Sequence, residues 1–157
     1  MKRLLPLLAL APAVFLAGCG PDPKMPFYGM WVGTFEPFDK GKVDGTVKAF
    51  VQLFAGDKFK LHVDAPHQKW DVIGTWSMEK SRITLKCKEL QAEIPDELDQ
   101  KTFGFTAITK ESLLEAYRKP IILKVAADGK SMTAVESVID RVDGRYEFRR
   151  TRPEKVY

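Results

Sequence analysis

Lys58-Phe59-Lys60-Leu61-His62-Val63-Asp64 alternates polar and apolar side chains at every step. A period of two marks an extended strand with one wet face and one buried face, because successive Cβ atoms leave a strand on opposite sides. Residues 82–88 repeat the pattern, with Ile83, Leu85 and Cys87 on one side. Residues 70–78 carry Trp70, Val72, Gly74, Trp76 and Met78 in phase, with Ile73 opposite them. Further strands are expected over residues 28–35, 46–54, 121–126, 132–138 and 145–151. Short turn sequences join most of them: Ala55-Gly56-Asp57, Glu79-Lys80-Ser81, Asp128-Gly129 and Asp143-Gly144. Asp-Gly pairs favour hairpins because both positions tolerate positive φ. The chain therefore reads as mainly β, about eight antiparallel strands in meander order. Such a sheet closes into a barrel, since left open it would expose two ladder edges to other chains.

Residues 89–119 break this rhythm. An acidic stretch with Glu93, Asp96, Glu97 and Asp99 reads as a solvated loop, lacking the regular oxygen-ligand spacing of a calcium site. One short helix, over residues 112–119, is expected between the fifth and sixth strands. Ser112 and Glu115 stand at capping-box spacing and Pro120 ends the helix. Leu113 and Tyr117, four apart, share its packing face. Such a helix acts as a plug over one barrel end or as a lid over a cavity, and the plug is the reading adopted.

The first residues address location. Lys2 and Arg3 precede an apolar run from Leu4 to Ala17 that matches the h-region of an export signal and is too short to cross a bilayer, which takes about 20 residues. The run ends in Leu16-Ala17-Gly18-Cys19, which resembles the lipobox of bacterial lipoproteins. That resemblance implies a signal peptide over residues 1–18, cleavage before Cys19, a diacylglyceryl thioether on Cys19 and an acyl chain on its amine. The partner so implied is the lipid bilayer, and two or three chains make the anchor firm. The competing reading is an ordinary signal cut after Ala11 or Ala13, with Cys19 a plain thiol. Gly20, rather than an aspartate, follows Cys19; in the resembling lipoproteins of two-membrane bacteria this permits export to the periplasmic side of the outer membrane. In a one-membrane cell the protein would sit on the outer face of the cytoplasmic membrane. Residues 19–27 are expected to form a proline-rich tether of extended polyproline geometry, and residues 28–157 the single folded domain.

Of 157 residues, removal of 18 leaves 139, with 23 basic against 21 acidic side chains, a charge of +2. That balance gives no reason to expect a nucleic-acid partner. An acylated Cys19 leaves Cys87 without a disulfide mate, so stability rests on packing and a monomer is expected.

Gly29-Met30-Trp31 opens the first strand, and Gly74-Thr75-Trp76 lies in the fourth. The first tripeptide, at the head of an eight-stranded meander, resembles the Gly-x-Trp that begins the first strand of lipocalins. In that family the Trp packs under the closed barrel end and an Arg near the last strand lies across it; here Arg150 is in phase for that part, with Arg149 and Arg152 as alternatives. Lipocalins place their helix after the eighth strand, whereas this chain places it within the meander. The resemblance thus implies a lipocalin-like architecture, with carriage of a small apolar ligand a separate question. An eight-stranded barrel is either filled by its own side chains or holds one small guest. The expected inward set, Trp31, Phe35, Phe59, Leu61, Trp70, Trp76, Met78, Tyr146 and Phe148, is bulky and favours filling.

No catalytic residues are expected: there is no Gly-x-Ser-x-Gly or His-Glu-x-x-His, and no glycine-rich phosphate loop. His62 and His67, with Asp64 and Asp71 nearby, match no zinc spacing and read as solvated, so neither metal nor cofactor is expected. The C-terminal group Arg141, Arg145, Arg149, Arg150, Arg152 and Lys155 reads either as a contact for anionic headgroups or as charges that discourage edge pairing. The functional expectation is a non-catalytic binding or interaction module of the envelope, or a structural lipoprotein that docks another envelope protein.

Overall fold

The computed structural model describes residues 21–37, 47–134 and 144–151. The expected Cys19, the signal segment and residues 135–138 of the seventh strand lie outside them. The strands are β1 (Gly29–Pro37), β2 (Val47–Leu53), β3 (Lys58–Ala65), β4 (Gln68–Glu79), β5 (Arg82–Glu93), β6 (Ile121–Val125), β7 (Ser131–Ala134) and β8 (Gly144–Arg150). They form one closed antiparallel meander barrel in which β8 returns to β1, with Trp31 opposite Arg150 and Phe35 opposite Tyr146. No helix of the described residues is long and apolar enough to cross a membrane.

The alternation that identifies the strands also fills the barrel. Trp31, Phe59, Leu61, Trp70, Trp76, Tyr146 and Phe148 are each at most 2% exposed. Met78, expected inside, is only partly buried at the end of β4, and the side chain of Phe35 lies outside the described set. Packing is close enough to require glycine at two places. A Cβ on Gly33 would come within 2.6 Å of the Phe148 ring, and one on Gly74 within 2.0 Å of the Lys86 carbonyl oxygen.

β5 runs five residues further than its sequence pattern suggests. The β4–β5 register shifts between Ile73 and Gly74: Gly74 faces Cys87 while Ile73 faces Glu89, which leaves Lys88 as an extra residue. This bulge inverts the phase, so inward positions pass from Ile83 and Leu85 to Leu90. Among the described residues the β5 side of β6 pairs only with Arg82 to Leu85, so the second half of β5 overhangs its neighbour.

Two short helices, not one, stand between β5 and β6. The first, α1 (Glu97–Phe103), occupies the stretch read as a solvated acidic loop. Its carboxylates are helix-start chemistry: Asp96 Oδ1 accepts from the Asp99 amide at 2.8 Å, and Glu97 and Asp99 sit in the first turn, where the helix dipole favours negative charge. Gly104, at φ +67°, closes it. The second, α2 (Lys110–Ala116), starts two residues before the expected Ser112 and ends earlier, because Thr109 rather than Ser112 is the N-cap and its Oγ1 accepts from the Ser112 amide. Leu113 and Tyr117 share the buried face as expected, at 0% and 3% exposure. Trp70 Nε1 donates to the Tyr117 hydroxyl at 2.8 Å, and Gln68 exchanges two 2.8 Å hydrogen bonds with the Ile108 backbone. The segment is bolted to the barrel mouth as a plug.

The opposite end is closed by residues expected to be an extended tether. Residues 22–24 turn and Met25–Phe27 form a 3-10 helix, with the Met25 amide bonded to Asp22 O and the Phe27 amide to Lys24 O. Proline fixes φ near a value that suits a helical first turn as well as polyproline geometry, and here the turn is realised because it brings side chains onto the barrel. Trp31 Nε1 donates to Phe27 O and Trp76 Nε1 to Phe54 O, both at 3.0 Å. Tyr28 meets Trp76 edge-on, while Lys24 lies 5.3 Å over the Trp76 ring and 2.5 Å from Asp57. Arg150, opposite Trp31, donates to Tyr28 O at 3.1 Å.

Candidate interaction surface

A concavity lies outside the barrel, at its helical end. It is an open groove of about 600 Å³ between the β3–β4 turn, the end of β5 and the face of α1. His67 occupies the turn at φ +65°. Its ring stacks on Phe105 at 4.8 Å and on Phe103 at 5.6 Å, nearly parallel to both. Lys48, Asp64, Lys69, Glu93 and Asp99 line the flanks, with Ile94 and Pro95 between them. On α1 Leu98 and Phe103 are 72% and 62% exposed, Ile94 in the groove is exposed, and so is Leu114 on α2. Aromatic and aliphatic surface bordered by both signs of charge is the composition of a protein-contact patch.

This groove is not legible in the amino-acid sequence. Its walls come from three separate elements, and its floor depends on α1, whose acidic residues disguise a helix. The available clue is Phe103-Gly104-Phe105, two large aromatics around a helix-ending glycine in a polar stretch.

The two histidines part company. His67 belongs to the groove, whereas His62 projects from the outer wall of β3, where Nδ1 lies 2.7 Å from Asp71 Oδ1 and the ring meets Phe50. Lys60 Nζ reaches the other Asp71 oxygen at 2.8 Å. Asp64 pairs instead with Lys69 at 3.6 Å. Among the described residues no three His, Cys, Asp or Glu side chains converge as metal ligands. Partial burial pushes the Asp71 carboxyl up, but hydrogen bonds from Lys60 and His62 outweigh it and hold the carboxyl below its ordinary 3.8. A carboxylate lowered on folding stabilises the fold at pH above its unfolded value, and that stabilisation is lost as pH falls below 3.8 toward the folded value. Asp71→Asn should therefore lower the melting temperature at neutral pH, and the gap from the parent should close on acidification below 3.8. A gap unchanged across that range in a calorimetric pH series would dissociate Asp71 from Lys60 and His62.

Cys87 is a free thiol, half-buried on β5, its pKa raised by burial. Of the C-terminal basic group, Arg149 pairs with Glu147 at 3.2 Å and Arg150 with the Tyr28 carbonyl. Arg141, Arg152, Lys155 and the Arg145 side chain lie outside the described residues. No protein-family model matches this chain, and no curated protein matches it in sequence.

Proposed function

We propose that this protein is a bacterial envelope lipoprotein, anchored through acylated Cys19, that works as a non-catalytic interaction module and engages an envelope protein through the groove beside His67. The observation that carries this reading is the filled interior: the residues that would line a ligand cavity are instead packed against one another, and Leu113 and Tyr117 stop the mouth. At the helical end accessible apolar surface lies on the outside, on Ile94, Leu98, Phe103 and Leu114. The resemblance to lipocalins supports the architecture without carriage of a guest. The residues after Leu16-Ala17-Gly18-Cys19 support the anchor, since the chain emerges at one barrel end and leaves the groove at the other.

Native mass spectrometry of the full chain, released from cell membranes in mild detergent, tests both parts. The expected species is the mature chain carrying acyl groups on Cys19 and no further small molecule. A stoichiometric apolar guest that survives release would return the barrel to ligand carriage, and an unmodified cysteine in a chain found wholly in the aqueous phase would remove the anchor.

A further inference from the structure

The two barrel ends differ in shape and in how their charges are arranged. At the helical end the exposed acids Glu93, Asp96, Glu97, Asp99, Glu111 and Glu115 are interspersed with the exposed cations Lys48, Lys69, Lys101, Lys110, Arg118 and Lys119, and Lys101 pairs with Glu97 and Arg118 with Glu115. The N-terminal end, where the β2–β3, β4–β5 and β6–β7 turns also lie, presents Lys58, Lys80, Arg82, Lys130 and Arg150. Carboxylates at that end are interspersed with these cations: Asp22 is engaged by the Tyr28 hydroxyl, Asp57 by Lys24 and Asp128 by the Lys130 amide, and exposed Glu79 stands opposite Arg82. The first of these contacts raises Tyr28 to about 12 and lowers Asp22. Among these cations stand three exposed hydrophobic side chains: Met25 in the 3-10 turn, Met30 and Phe54, at 57%, 45% and 40% exposure. Met30 faces Gln52, so Phe54, two residues beyond Gln52, is its diagonal neighbour on the outer wall.

From this we infer that the N-terminal end of the barrel is a lipid-contacting face that seats on an anionic bilayer, an inference that rests on the lipid anchor proposed above. Met25, Met30 and Phe54 enter the interfacial layer, and Lys58, Lys80 and Lys130 meet headgroup phosphates. Chain length supports this occupant. Cys19 precedes Pro21 by two residues, a reach of at most about 7 Å, so acyl chains on Cys19 hold this end within a side chain's length of the headgroups. Flexible methionines and an aromatic ring amid cations are suited to an interface that is apolar on one side and negatively charged on the other. The groove beside His67 then faces the aqueous space.

Bromolipid quenching tests this on the full chain as cells process it, with Phe54→Trp and Leu98→Trp as separate reporters. Vesicles contain phosphatidylcholine alone or with phosphatidylglycerol, each with acyl chains brominated near the headgroup. In anionic vesicles the added fluorescence of Phe54→Trp should fall about twofold while that of Leu98→Trp holds, the contrast weakening at high salt. Lys58→Glu, Lys80→Glu and Lys130→Glu combined should restore the Phe54→Trp signal without releasing the protein from vesicles. Equal quenching at the two sites, or none at Phe54→Trp in an acylated, vesicle-bound protein, would overturn the face while leaving the anchor standing. An unacylated protein that still shows quenching at Phe54→Trp only with phosphatidylglycerol would keep the face and remove the anchor. An unacylated protein with no quenching removes both.

Discussion

Trp70→Ala is expected to cost this protein about 3–5 kcal/mol, a large part of the roughly 5–15 kcal/mol that holds a domain of this size together. Trp70 is 2% exposed on β4 and touches both layers of the helical end: its ring packs in the barrel core and its Nε1 donates to the Tyr117 hydroxyl. Truncation empties the volume of an indole under α2 and strands a hydroxyl that burial has already pushed far from its ordinary pKa. Tyr117→Phe separates the two effects. It keeps the ring and removes only the acceptor, so a buried Nε1–H is left unmade at about 1–3 kcal/mol. Chemical denaturation followed by far-ultraviolet circular dichroism should rank parent above Tyr117→Phe above Trp70→Ala. A Trp70→Ala protein within about 1 kcal/mol of the parent would mean that the plug does not depend on this contact.

Gly74→Ala is the second large effect, and it needs no lost contact. The added methyl would sit 2.0 Å from the Lys86 carbonyl oxygen, 2.9 Å from its carbon and 2.9 Å from Phe59 Cε1. Two of these atoms are backbone, in the longest ladder of the barrel, so the relief open to a flexible side chain is denied. β4 and β5 must separate by more than an ångström at the bulge. Overpacking a core costs about 1–3 kcal/mol, and a rigid backbone obstacle places this substitution at the upper end or beyond it. Gly104→Ala is the control: nothing lies within 4 Å of its Cβ, and only the left-handed φ of +67° is strained, at about 1 kcal/mol. Urea melts should show Gly74→Ala the less stable of the two. The reverse order would mean that the β4–β5 bulge yields easily.

What could be read in the chain follows from how far apart the determinants lie. Phe59, Leu61 and Val63 announce β3 because the information is held within seven residues, and the same holds for Ile83 and Leu85. The second half of β5 escapes because Lys88 inserts one residue and inverts the phase, so Leu90 reads as part of a loop. Asp96, Glu97 and Asp99 conceal α1 for a different reason: carboxylates favour both a solvated loop and the first turn of a helix, and only Gly104 downstream tips the choice. Pro23 and Pro26 conceal the 3-10 turn likewise, since a fixed φ serves two backbone geometries. The groove is the least legible feature, because His67, Glu93 and Phe105 become neighbours only once the barrel has closed and α1 has docked.

The overhang of β5 past β6 leaves a run of main-chain amides and carbonyls in a closed barrel without a second ladder among the described residues. Such a margin is a template onto which a stray strand from another molecule can crystallise, the first step toward fibrous growth. Here the margin is fringed by Lys86, Lys88, Glu89 and Glu93, all solvent-exposed. An incoming strand would have to strip water from four charges of mixed sign to add its rung, so the fringe guards against aggregation where closure of the sheet does not reach.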